Sequence, residues 1–235
     1  MIKFFSKIRK TLITQNKVGK YLLYAFGEIV LVVIGILIAL QINNWQQQSK
    51  EGKLERRYLQ NLVKELKQDS IALSANSKKL NYQANTKNPL LDILNEGSYH
   101  DSLSSYFSLQ WRPIYPYTPL TSTYKEMTNS SHLSIIKSDE LRENIVKMYN
   151  SYEDLQSDEA FLLEFFKSLV TQLSKEVPDL YNPTTQDILD LSNNAYVMNS
   201  IRLNGAYSRL NNYNEKLEQC SSLLAQIKDY QGDSK

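Results

Sequence analysis

The sequence holds one cysteine, Cys220, and two histidines, His100 and His132, among 235 residues. An intramolecular disulfide is therefore impossible, and a thiolate or histidine-rich metal site has nothing to be built from. Glycine (7) and proline (6) are scarce and scattered, which excludes collagen-like and low-complexity chains. No fixed period recurs that would signal a repeat architecture. Enzyme signatures are missing too: there is no phosphate-cradling glycine loop, no H-E-x-x-H and no G-x-S-x-G. Adjacent acids such as Asp139 with Glu140, or Asp158 with Glu159, leave a helix on different faces and cannot form a dyad by spacing. No catalytic residue, metal ligand or cofactor is expected, and the chain reads as a non-enzyme.

What is present is unevenly placed. The formal charge of +2 conceals six bases and no acid in residues 1–27 (Lys3, Lys7, Arg9, Lys10, Lys17, Lys20), leaving 21 bases against 25 acids over the rest. A nucleic-acid binder carries its basic patch on the folded domain. Here the bases precede an apolar run, as a topology signal does, so no nucleic-acid partner is expected. Residues 1–20 read as a cytoplasmic basic amphipathic segment lying on lipid, with Phe4, Phe5, Ile8, Leu12 and Ile13 on one side and Lys3, Lys7 and Lys10 opposite.

From Tyr21 to Ile42 the chain is apolar except for Glu28 and Gln41. At 1.5 Å per residue that is roughly 33 Å of helix, the thickness of a bilayer core. Tyr21, Tyr24 and Trp45 flank it as aromatic anchors. The stretch after it offers no small-residue cleavage pattern, so it reads as an uncleaved single-pass signal anchor in a bacterial inner membrane, N-terminus cytoplasmic and residues 43–235 periplasmic. Glu28, Val32, Gly35, Ala39 and Asn43 share one helix face. Gly35 and Ala39 form a small-xxx-small pair that admits a close partner helix, from a second copy or from another membrane protein. Glu28 can serve such an interface, couple to ions, or simply sit among headgroups.

The body carries helical rhythms. Leu59, Leu66, Leu73 and Leu80 recur every seven residues, so a helix continues from the span toward residue 82. Leu141, Ile145, Met148, Tyr152, Leu155, Glu159, Leu162, Phe166, Leu169 and Leu173 alternate steps of four and three behind Ser138 as a cap. Leu203, Ala206, Leu210, Tyr213, Leu217, Cys220, Leu224 and Ile227 form a third seam, which makes Cys220 a small core residue rather than a nucleophile. Glu159 either pairs with Arg202 or Arg209 or turns outward and brings Leu163 in, the second being slightly favoured. Between the seams, NPLLDILNEGSYHDSLSSYFSL suggests two short helices broken at Gly97, and a short helix begins near Thr184. LQWRPIYPYTPLTSTY holds three prolines in seven residues and is not helical. Its Trp111, Arg112, Tyr115 and Tyr117 form a candidate recognition surface, or else a lid over the end of the helices. The expected architecture is all-α: a transmembrane helix running into an antiparallel periplasmic bundle of three or four helices.

Two blocks, MIKFFSKIRK with KYLLYAFGEIVLVVIGILIALQINNW, and TYKEMTNSSHLSIIKSDELRENIVKMYNSY, resemble a family of uncharacterised single-span proteins of Bacteroidetes-type bacteria, known only as a domain of unknown function. The resemblance implies an inner-membrane location and a periplasmic body, and brings no activity. The expected role is that of a membrane-anchored interaction or scaffold protein. A periplasmic ligand-sensing module signalling through a partner, and a single-span subunit of an ion-coupled complex, stand as alternatives.

Overall fold

The computed structural model describes residues 18–112 and 114–233, so residues 1–17 of the expected basic amphipathic segment 1–20 lie outside the described residues. Every regular element among the described residues is helical. In chain order they are α1 (Val18–Glu96), α2 (Leu103–Trp111), α3 (Ser122–Asn129), a 3₁₀ turn (His132–Ile135), α4 (Asp139–Glu176), α5 (Thr185–Asp190), a second 3₁₀ turn (Leu191–Asn193), α6 (Ala195–Arg202) and α7 (Ala206–Asp233). The chain forms two compact units, residues 1–55 and 56–235. Their boundary falls inside α1, C-terminal to the body's expected start at residue 43.

In the first unit α1 is the one helix among the described residues with the length and composition to cross a membrane, and none of its apolar window is buried. Leu23 is 80% exposed and Trp45 71%. A soluble unit would hide such a run against a partner element.

The second unit is built on residues 56–96 of α1 together with α4 and α7. The leucines 59, 66, 73 and 80 are all buried, as is Leu62. Along α4, Ser138 accepts a hydrogen bond from Leu141 N as N-cap, and nine of the ten seam positions are buried, Leu162 being half-buried. Pairs between α4 and α7 run in opposite order: Asp158 with Asn212, Ser151 with Gln219, Asn144 with Gln226. The two helices are antiparallel. The pairs Ser77 with Asn214 and Ser70 with Cys220 place α7 antiparallel to α1 as well.

Three expectations need correction. The first helix does not yield near residue 82 to a separate short one; it continues through Pro89 to Glu96. An interior proline costs roughly 3 kcal/mol. Pro89 lies on the exposed side, while Leu90, Leu91, Ile93 and Leu94 are buried in an apolar cluster with Leu103, Phe107 and Leu173. Each such side chain contributes about 1.5–3 kcal/mol as an upper estimate, so burial prevails. The break does fall at Gly97, whose φ of +67° is the left-handed helix stop that glycine adopts freely. Second, Leu203 is not on the last seam: it is 70% exposed, because the backbone turns between α6 and α7 at Gly205 (φ +68°). Third, Glu159 does not turn outward but is buried against Arg209. The helix expected near Thr184 is α5, closed by a capping box between Thr184 and Asp187.

Candidate functional site

Three places collect polar or exposed groups that packing alone does not explain. The first is the apolar face of α1. Val32, Gly35, Ala39 and Asn43 are exposed and Glu28 half-buried. A Cβ built on Gly35 would meet nothing within 4 Å. A shallow groove lined by Gly19, Leu23, Tyr24, Gly27, Glu28, Leu31 and Val32 borders this line on the Gly27 side. Gly27 widens the face beyond the five residues named from the sequence.

The second is the connector between α2 and α3. Its four candidate residues do not share a surface. Trp111 and Tyr117 are 6% exposed, whereas Arg112 is exposed and Tyr115 is 77% exposed. The Arg112 guanidinium lies 5.5 Å from the Trp111 ring centroid and 5.8 Å from that of Tyr181, and the two rings meet edge to face at 5.9 Å. Sequence reasoning does not single out Tyr181, which lies about 70 residues downstream with no periodic signal around it. Its loop is set by Asp179, whose carboxylate accepts from the N–H groups of Tyr181 and Asn182 and is thereby held below its usual pKa. A guanidinium stacked on rings keeps its in-plane donors for an oxyanion, and Arg112 makes no ion pair among the described residues.

Helices α1 and α7 strap this connector down. Asn76 Nδ2 donates to Tyr115 O (3.3 Å), and Leu120 N donates to Asp69 Oδ1 (3.1 Å). Glu65 Oε1 accepts from Thr123 N (3.1 Å) and Thr123 Oγ1 (2.8 Å), serving as a cap that α3 lacks from its own Thr121. From α7, Tyr213 Oη accepts from Tyr117 N (3.0 Å) and Arg209 Nη2 donates to Ile114 O (3.0 Å). Arg209 is itself fixed by Glu159, with Nε to Oε1 at 2.7 Å and Nη2 to Oε2 at 2.6 Å, both side chains almost wholly buried. Of the two partners considered for Glu159, Arg209 is the one used. Burying the carboxylate is tolerable because the pairing is bidentate.

The third place is the interior polar cluster around Asp69, which lies 1% exposed. Its Oδ2 and the hydroxyls of Tyr117, Tyr149 and Tyr152 are buried without a hydrogen bond of ordinary geometry. Burial raises the Asp69 pKa against the lowering by Tyr117, Leu120 N and Tyr152. Burial likewise pushes all three phenols up. Tyr149 stacks flat on Tyr124 at 4.2 Å and meets Tyr152 edge to face at 5.8 Å. Cys220 is fully buried, its thiol raised by burial and donating to Leu66 O (3.1 Å), which suits a core residue. The signal for Asp69 is in the spacing: residues 59, 62, 66, 69 and 73 step by three and four, so Asp69 stands on the seam with the leucines.

The histidines are local fixtures. His100 Nδ1 accepts from Ser102 N (3.1 Å), and His132 Nδ1 lies 2.8 Å from Tyr58 Oη, which also donates to Glu126 (3.1 Å). No group of three or more potential metal ligands occurs among the described residues.

A family model described as "Family of unknown function (DUF6090)" matches residues 28–188. No curated protein and no solved structure matches the chain.

Proposed function

Since the chain belongs to this family of unknown function, membership supplies no activity, and we propose that the protein is a membrane-anchored interaction or scaffold protein. In this reading α1 spans the inner membrane of a Bacteroidetes-type bacterium, the six bases before the run stay in the cytoplasm, and a periplasmic helical bundle follows. The observation that carries the reading is the face of Glu28, Val32, Gly35, Ala39 and Asn43 on a helix whose apolar window has no cover. Gly35 and Ala39 let a second copy approach closely, with Glu28 in line with them on the same face. The body adds recognition through Arg112, Tyr115 and Tyr181, exposed on one connector and one loop.

The test is blue-native sizing and crosslinking of the full chain in native membranes, for wild type and Gly35→Leu. A leucine on the close-packing face separates the helices, and the crosslinked dimer falls about tenfold. A monomer in both proteins defeats the reading. The sensing alternative has its own observation, the Arg112 guanidinium held against two rings, and it gains if sizing shows a monomer in both proteins.

A further inference from the structure

Four elements meet around Asp69, and no cation among the described residues is paired with it. Its own helix α1 contributes Glu65 one turn away; the connector contributes Tyr117, α4 contributes Tyr149 and Tyr152, and α7 contributes Cys220. Every one of these groups is neutral or an acid, and Lys216, a buried cation of α7, is spoken for by Glu215 at 3.0 Å. Asp69 makes no ion pair among the described residues, unlike Glu159, the other acid buried in the same unit, which has Arg209.

The two protonation states of Asp69 fit this site differently. A neutral carboxyl accepts from Leu120 N through Oδ1 and offers a proton from Oδ2 to a phenol, and each phenol can accept as well as donate. Tyr117 and Tyr152 are the two phenols that interact with this carboxyl. An ionised carboxyl has donors in Tyr117, Leu120 N and Tyr152 but no counter-charge among the described residues, and burial outweighs those donors. Its removal from water costs more than a few single hydrogen bonds return, yet less than it takes to separate three long packed helices. The wall that gives way is the one without helical structure. Residues 114–121 have no regular element before α3, and Asp69 itself holds one of their few straps.

We propose that Asp69 is a proton-operated latch on the connector: with the carboxyl neutral, residues 114–121 are strapped to α1 and α7, and on its ionisation that segment detaches while the helices stay packed. Burial places the titration above the ordinary carboxylate range. The device deepens the reading of the connector as a recognition surface and rests on it for its purpose. Opening the segment frees the backbone that carries Tyr115, while Arg112 stays tied to the preceding helix through Ser108 O, so proton concentration sets how rigidly Tyr115 is presented beside it.

Hydrogen exchange of the full chain in lipid nanodiscs, followed by mass spectrometry with labelling times scaled to the intrinsic rate at each pH, reads the latch without any partner. In wild type, the peptide covering residues 114–121 loses protection at least tenfold between about pH 4 and pH 9. Peptides of α4 keep theirs. Asp69→Asn retains the acceptor for Leu120 N and cannot ionise, so its connector stays protected throughout. Tyr117→Phe removes a hydroxyl that favours the carboxylate, and moves the release to higher pH. Equal pH profiles in wild type and Asp69→Asn overturn the proposal. So does a loss of protection that spreads equally through α4, which is global unfolding, or a Tyr117→Phe profile displaced to lower pH. A dimer lost in the crosslinking test leaves this readout untouched, so failure of the latch and failure of the interaction reading are told apart.

Discussion

At the scale of single residues, two buried acids are housed by opposite means. Glu159 is matched by the guanidinium of Arg209, and removing either partner strands the other charge away from water. Arg209→Met and Glu159→Leu are each expected to cost about 3–5 kcal/mol, and the double replacement much less than their sum. Urea unfolding of the full chain, followed by circular dichroism, measures all three. Asp69 is housed without a counter-charge, and its pKa is raised by burial. The folded state therefore binds the proton more tightly than the unfolded one. Its contribution to stability is complete below the ordinary aspartate pKa and is lost as pH rises through the raised folded value, about 1.4 kcal/mol for each tenfold difference in proton affinity between the two states. Urea midpoints for wild type are expected to fall from pH 5 toward the alkaline side, and those for Asp69→Asn to stay level across the same range. A seam position occupied by an acid is visible in sequence for both residues. Which of them owns a cation is not, because Arg209 comes from 50 residues away.

At the scale of elements, legibility follows how long one rhythm lasts. The α4 pattern survives ten positions behind a capping serine, and burial follows it nearly throughout. The tail of α1 is illegible because leucine gives way to Gln83 and Thr86, which are buried by hydrogen bonds instead. Gln110 Nε2 donates to Gln83 O (3.1 Å) and to Thr86 Oγ1 (3.0 Å), and Asn204 Nδ2 donates to Gln110 Oε1 (2.7 Å). Polar residues on a seam read as its end when their partners lie on other elements. Pro89 reads the same way, yet it is exposed and lowers the helix's stability. Pro89→Ala is expected to raise the thermal midpoint by an amount worth up to about 3 kcal/mol. The two left-handed glycines differ in surroundings. Gly97→Ala costs about 1 kcal/mol for the backbone alone. Gly205→Ala costs more, since its Cβ would also meet Leu162 Cδ2 at 3.0 Å. Calorimetry of the pair separates the two effects.

At the scale of the whole molecule, the proposed membrane anchor rests on the uncovered apolar stretch of α1. Alkaline carbonate washing is expected to leave the full chain in the membrane pellet, while Ile34→Arg combined with Leu37→Arg shifts it to the supernatant, each arginine costing about 2.5–3.5 kcal/mol at mid-membrane. The remaining residues depend on α7. Ser77 waits for Asn214, the Leu66 carbonyl for Cys220, and the Tyr117 amide for Tyr213, partners up to 154 residues downstream. Synthesis thus exposes the inner face of α1 early and closes it last, since no shorter stretch of chain supplies those bonds. A ribosome stalled before residue 206 would display an unfinished body that carries both buried acids without Arg209 or Cys220 beside them. Completion of the fold in this sense waits for the synthesis of α7, and a protease able to recognise the open face would have the whole of that interval in which to act.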